Sequence, residues 1–171
     1  GSRAAQFAID MGDHMNTWRQ PAAAQQQMAK YEAAMSRFPR TWFMTMGNHD
    51  LDNGLNNLRQ KVQYAHFPVL CANVTEKSSD LLVFRPFQIF ERNGLKIAVM
   101  GFISEHAWQA VALPQKQGLT FHDPIPIAKK LVAELRPKVD LIVSLHHMGI
   151  WFDEPFAKAV PGVDLIIGGH S

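Results

Sequence analysis

A single cysteine in 171 residues rules out an internal disulfide and argues against a thiolate metal site. Cys71 lies in the run Val69-Leu70-Cys71-Ala72, where a free thiol is expected to be a buried core side chain. Long apolar runs are missing too: none approaches the ~20 residues that span a bilayer. Charge is sparse, at 19% of residues with a net +2, and no basic run is dense enough to follow a phosphate backbone. A nucleic acid polymer is therefore not an expected partner. The hydrophobic share of 47% and the absence of repeats or low-complexity segments indicate a globular chain. Its length suits one domain, by the usual ~100–200 residues. The opening Gly1-Ser2 resembles an expression scar, so a missing export signal carries no information about localisation.

What is present is a set of apolar runs that end in polar groups. Trp42-Phe43-Met44-Thr45-Met46 gives way to Gly47-Asn48-His49-Asp50, followed by Leu51-Asp52-Asn53-Gly54. Phe7-Ala8-Ile9 precedes Gly12-Asp13, Leu141-Ile142-Val143 precedes His146-His147, and Leu165-Ile166-Ile167 precedes Gly168-Gly169-His170. Buried strands that deliver Asp, Asn and His to one sheet edge are how α/β folds build metal and catalytic sites.

Between these runs the pattern is helical. Met28, Tyr31, Met35 and Phe38 predict an amphipathic helix over residues 21–37, stopped by Pro39. Strands are expected at 5–10, 41–46, 69–74, 140–145 and 164–168, with helices at 55–65 and near 154–160. Asp123-Pro124 caps a further helix with Ile127, Leu131 and Leu135 on its apolar face. Asn93-Gly94 between the β-rich segments 82–90 and 95–102 is a hairpin signal. Strands with nearly continuous apolar runs, alternating with helices, imply a layered α/β fold with its sheet covered on both faces.

Hydrolysis of a phosphoester by a metal pair needs oxygen and nitrogen ligands, a carboxylate able to bridge the ions, and a water of lowered pKa. Asp13, Asn48, His147 and His170 supply that set, with Asp13 the natural bridge. Two imidazoles and an amide oxygen suit manganese, zinc, iron or nickel. His49 is then available to protonate the leaving oxygen, with Asp52 fixing its tautomer.

In order along the chain, Gly12-Asp13, Gly47-Asn48-His49-Asp50-Leu51-Asp52-Asn53, Phe67-Pro68-Val69-Leu70-Cys71-Ala72-Asn73-Val74, Leu145-His146-His147-Met148-Gly149 and Val160-Pro161-Gly162-Val163-Asp164 through Gly168-Gly169-His170-Ser171 resemble the motifs of the calcineurin-like metallophosphoesterases. The resemblance is strongest to the branch of 5'-nucleotidases and 2',3'-cyclic-nucleotide phosphodiesterases. It implies a four-layer α/β/β/α sandwich over residues 3–171 and two divalent metal ions. It also implies Asp13 as the bridge, Asn48, His147 and His170 as ligands of one site, and His49 with Asp52 as the catalytic dyad. The implied substrate is a small phosphoester such as a nucleotide, recognised with the help of a C-terminal substrate-binding domain in a periplasmic or extracellular protein.

Several features depart from the pattern. The family's opening Asp-x-His strand and the ligand after its glycine-glycine-histidine-serine motif have no counterpart, so only one metal site is complete here, and the sequence is expected to be trimmed at both ends. Taken literally, the same gap favours a non-catalytic binding module. A cyclic-nucleotide phosphodiesterase is a further alternative. His14, His66, His106 and His122 are expected to be structural or surface residues, and Trp108 and Trp151, placed in loops, to be equally suited to stacking a substrate or packing the core. Asp52 has a competing reading as a helix cap, and His146 competes with His147 because side chains alternate along a strand; the resemblance, which places the ligand immediately before the hydrophobic-glycine pair, implies His147.

Overall fold

Alternation along the strands sorts the apolar side chains into layers. The structure, a computed structural model, describes residues 7–10, 26, 29 and 41–170. Asp13, His14 and the expected helix over 21–37 lie outside the described residues. In chain order the elements are β1 (Phe7–Asp10), β2 (Thr41–Thr45), a 3-10 turn (His49–Leu51), α1 (Gly54–Val62), β3 (Val69–Leu70), β4 (Val74–Glu76), β5 (Phe87–Arg92) and β6 (Leu95–Ile103). There follow α2 (Glu105–Ala110), α3 (Leu113–Lys116), β7 (Leu119–Phe121), α4 (Pro124–Leu135), β8 (Leu141–His147), α5 (Ile150–Ala159) and β9 (Leu165–Gly169).

Two sheets result. One has the order β1-β2-β3, all parallel; the other runs β5-β6-β8-β9, with β5 and β6 antiparallel and the remainder parallel. The β5–β6 turn is the expected hairpin: Asn93 and Gly94 both take positive φ (51° and 79°), which suits the twist of a two-residue loop. A two-stranded ribbon, β4 with β7, stands apart.

Phe43 and Leu70 of the first sheet meet Ile97, Val99, Val143 and Leu145 of the second in a shared core. On the outer side of the first sheet, Met44, Met46 and Val69 pack with Leu58 of α1. On the outer side of the second, Ala98, Met100, Phe102 and Ile142 pack with Ala128, Leu131 and Leu135 of α4 and Phe156 of α5. These are the four layers α/β/β/α. Each fully buried Leu, Met or Phe in them contributes about 1.5–3 kcal/mol. Cys71 is a core thiol, and burial pushes its pKa up to about 12.

The structure differs from the sequence reading in four places. The strand expected over 69–74 is two, β3 and β4, in different sheets. The chain leaves the first sheet at Cys71-Ala72, where Ala72 N–H donates to Gly101 O (2.8 Å). Asn73 then holds the crossing: its Nδ2 donates to Ile103 O (2.8 Å) and His122 O (3.0 Å), while Ile103 N–H donates to its Oδ1 (3.1 Å). Residues 82–84 form no strand; Leu82 makes only an isolated bridge to Thr75. Helices α2 and α3 and strand β7 were not expected. Finally, α5 begins at Ile150 rather than near 154, because Phe152 and Asp153 N–H already bond Gly149 O (3.0 and 3.1 Å), and Pro155 sits inside the helix. Among the described residues no helix is long and apolar enough to cross a membrane.

Candidate metal centre

Strand β2 hands the chain to a tight loop. Asp50, buried, accepts a hydrogen bond from Gly47 N–H at its Oδ2 (2.8 Å), which closes the loop on itself. One consequence is that Asn48 turns inward, 2% exposed, while the neighbouring His49 side chain turns outward, 54% exposed.

Alternation on β8 decides between its two terminal histidines. Val143 and Leu145 face the other sheet, so His147 does as well; Ile142 faces the helices, so Ser144 and His146 do. His147 Nε2 accordingly reaches Asn48 Oδ1 across the sheets, at 2.9 Å. A hydrogen on Nε2 donates to the amide oxygen in that arrangement. The His170 ring, at the end of β9, lies 4.7 Å from the His147 ring by centroids. His170 takes φ 68°, an uncommon conformation for a non-glycine residue that is maintained where the surroundings impose it.

Three of the four expected metal ligands thus converge from three separate elements. Their chemistry fits a divalent first-row ion: one neutral hard oxygen and two imidazoles. Among the described residues no group of three or more His, Cys, Asp or Glu is placed to hold an ion. The third donor here is an amide, and the carboxylate expected to bridge, Asp13, lies outside the described residues.

The His49 and Asp52 side chains, expected to be a dyad, are paired in the same loop. His49 Nδ1 lies 3.1 Å from Asp52 Oδ2, with Asp52 39% exposed. The competing reading of Asp52 as a helix cap does not hold, since Asn53 is the N-cap of α1 and its side chain makes no capping bond. Behind the loop, Lys61 of α1 is buried; desolvation lowers its pKa, and the carboxylates of Asp50 and Asp52 oppose that shift.

Other sequence candidates separate. His122 Nε2 bonds Thr75 Oγ1 (2.8 Å) and is structural. His106, read as structural or surface, is exposed but edges the site, its ring 5.6 Å from that of His170. Trp108 and Trp151 lie in helices α2 and α5, not in loops; Trp108 packs on Phe121 (6.1 Å), whereas Trp151 is 85% exposed. The residues that sequence reasoning missed are Asp153 and Ser144, both bonded to His146. Their signal was the His-His doublet itself, because one member of such a pair must face the helix layer.

Comparison with known proteins bears on the whole arrangement. The profile of the calcineurin-like phosphoesterase family matches residues 3–171. The chain is 36% identical over 142 residues to a 5'-nucleotidase of Vibrio cholerae, covering 75% of this chain and 26% of that protein. It is 35% identical over 142 residues to protein UshA of Escherichia coli, with the same coverage of 75% and 26%. Among solved structures, a 5'-nucleotidase precursor from Thermus thermophilus superposes with a TM-score of 0.79 at 29% identity, over 98% of this chain and 33% of that one. The chain therefore spans about a quarter of the length of the curated relatives it matches.

Proposed function

The chain belongs to the calcineurin-like phosphoesterase family, and on that premise we propose that it hydrolyses phosphate esters, with nucleoside 5'-monophosphates as the substrate class. The observation that supports this most is the approach of Asn48 Oδ1 and His147 Nε2 beside His170, with the His49–Asp52 pair issuing from the same loop as Asn48. In this reading Asn48, His147 and His170 would hold one divalent ion, and Asp13 would be the carboxylate shared with a second. Ions of the manganese, zinc, iron or nickel class, when bound, lower the pKa of water and draw charge from the phosphoryl oxygens.

The side chains do the rest. Asp52 engages His49 Nδ1 and orients the ring, so the proton handed to the leaving oxygen comes from Nε2. A proton donor half open to solvent can meet an ester presented from outside. The likeness to 5'-nucleotidases supports the nucleotide class. Residues 3–171 would be the N-terminal catalytic domain, and the greater length of the relatives leaves room for a C-terminal domain that recognises the base. Similarity to a 5'-nucleotidase precursor supports a periplasmic or extracellular location.

The test is hydrolysis of a 5'-nucleotide, a 2',3'-cyclic nucleotide and an aryl phosphate by metal-stripped protein, with and without added Mn²⁺. Turnover of the 5'-nucleotide restored by Mn²⁺ is the expected result. Turnover of the cyclic diester alone would move the substrate class, and no turnover with any ion would overturn the hydrolase.

A further inference from the structure

Strand β8 ends in two imidazoles on opposite faces, and only His147 faces the candidate centre. His146 is fully buried, yet both of its ring nitrogens have partners: Nδ1 lies 2.7 Å from Asp153 Oδ1 and Nε2 lies 2.8 Å from Ser144 Oγ. With the proton on Nδ1, the ring donates to the carboxylate and accepts from the Ser144 hydroxyl. Phe156 packs edge-on at 4.4 Å and Phe102 at 6.1 Å, so the ring has one orientation. A buried carboxylate is costly unless hydrogen-bonded; Asp153, near the start of α5, meets that need through His146.

The second oxygen of Asp153 faces β9. Oδ2 lies against Gly168 so closely that any Cβ there would collide with it. Helix α5 meets β9 at a second point as well: Gly149 N–H donates to Gly169 O (2.7 Å). Gly149 adopts φ 78°, and a Cβ on it would stand 2.6 Å from His170 O. Asp153 therefore links the residue before His147 to the glycine two residues before His170. The two imidazoles of the candidate centre are set by strand ends that share this one carboxylate.

We propose that His146 and Asp153 are positioning residues for the metal centre, holding the His147 and His170 rings at the separation a shared divalent cation requires. The inference rests on the reading of His147 and His170 as ligands. It assigns the buried pair no contact with substrate or ion; its action passes through the backbone of β8 and β9.

The experiment is a Co²⁺ titration of the metal-stripped protein followed by the ligand-field absorption spectrum, which reports ligand geometry without any turnover. Asp153→Leu is expected to weaken Co²⁺ binding about tenfold, the lower end of the scale found when direct partners of metal ligands are removed, and to alter the spectrum. Asp153→Asn, whose amide oxygen still accepts from His146 Nδ1, should recover most of both. Should Asp153→Leu fail to fold, the variant combining Ser144→Ala, His146→Phe and Asp153→Leu decides, because replacing all three partners by apolar groups orphans none of them. Wild-type affinity and spectrum in either variant would overturn the proposal while leaving the ligands intact. If instead His147→Ala bound Co²⁺ as the wild type does, the ligand assignment would fall, and this inference with it.

Discussion

Asn48 and His49 are neighbours in sequence and opposites in environment. Asn48 is buried and bonded across the sheets to His147; His49 is half exposed and paired with Asp52, three residues away. On the proposed function, the difference divides the labour of the site. Groups that would hold positive charge are fixed by long-range packing, in surroundings of low dielectric where electrostatic attraction is strong. The group that would move a proton is tethered locally, at the surface, where an incoming ester can reach it. One loop serves both because the Asp50–Gly47 bond locks its turn and directs successive side chains to opposite sides.

If that division is right, substitutions on the two sides should fail in different ways. The largest effect is expected from His147→Ala, which removes a donor outright. Mn²⁺ affinity measured by calorimetry should fall at least about 100-fold, since losing even an outer partner of a ligand costs about 10–100-fold. Turnover should fall with it. His49→Ala should leave Mn²⁺ affinity unchanged while kcat drops by about 10²–10⁴, the range for a general acid. A joint loss of metal and rate in His49→Ala would break the comparison, placing the ring in the metal-holding half. Smaller again is Asp52→Asn. The pair is exposed, and exposed pairs contribute about 0.2–1 kcal/mol, so kcat should fall by no more than about fivefold. A much larger loss would mean that Asp52 is desolvated once substrate binds.

The same contrast explains what could be read from the sequence. The layers were legible because continuous apolar runs such as Leu141-Ile142-Val143 and the helical stripe Ile127, Leu131, Leu135 have few other solutions. The hairpin at Asn93-Gly94 was legible because turn chemistry is local. So was the offset of His49 and Asp52. The split of residues 69–76 was not, since Asn73 acts through Ile103 and His122, tens of residues away. The helices α2 and α3 escaped notice because they are short and carry no apolar stripe. Asp153 escaped for the same reason as Asn73: its partner, His146, becomes a neighbour only when α5 folds back on β8.

The smallest effect is expected at the exposed end of β9, opposite His170. Arg136 of the α4 C-terminus forks onto Asp164, with Nη1 3.2 Å from Oδ1 and Nη2 2.8 Å from Oδ2, and Ile142 N–H donates to the same Oδ2 (2.6 Å). The guanidinium, aided by that N–H, holds the Asp164 carboxyl below its ordinary value of 3.8. A carboxyl whose pKa is lower folded than unfolded binds fewer protons in the native state, so stability rises with pH through that range. Its contribution is complete above the ordinary value and is lost as pH falls through the lowered one. Both side chains are about a third exposed, so screening limits the contribution to about 1 kcal/mol or less. Denaturant unfolding should find Asp164→Asn destabilised by that amount at pH 7 and indistinguishable from wild type in strong acid. Its Mn²⁺ affinity should not change, because the fork anchors the entry of β9 while Asp153 and Gly149 fix the exit. A metal affinity that fell with Asp164→Asn would show the strand transmitting strain along its length, and the buried and exposed parts of the molecule would no longer be separable.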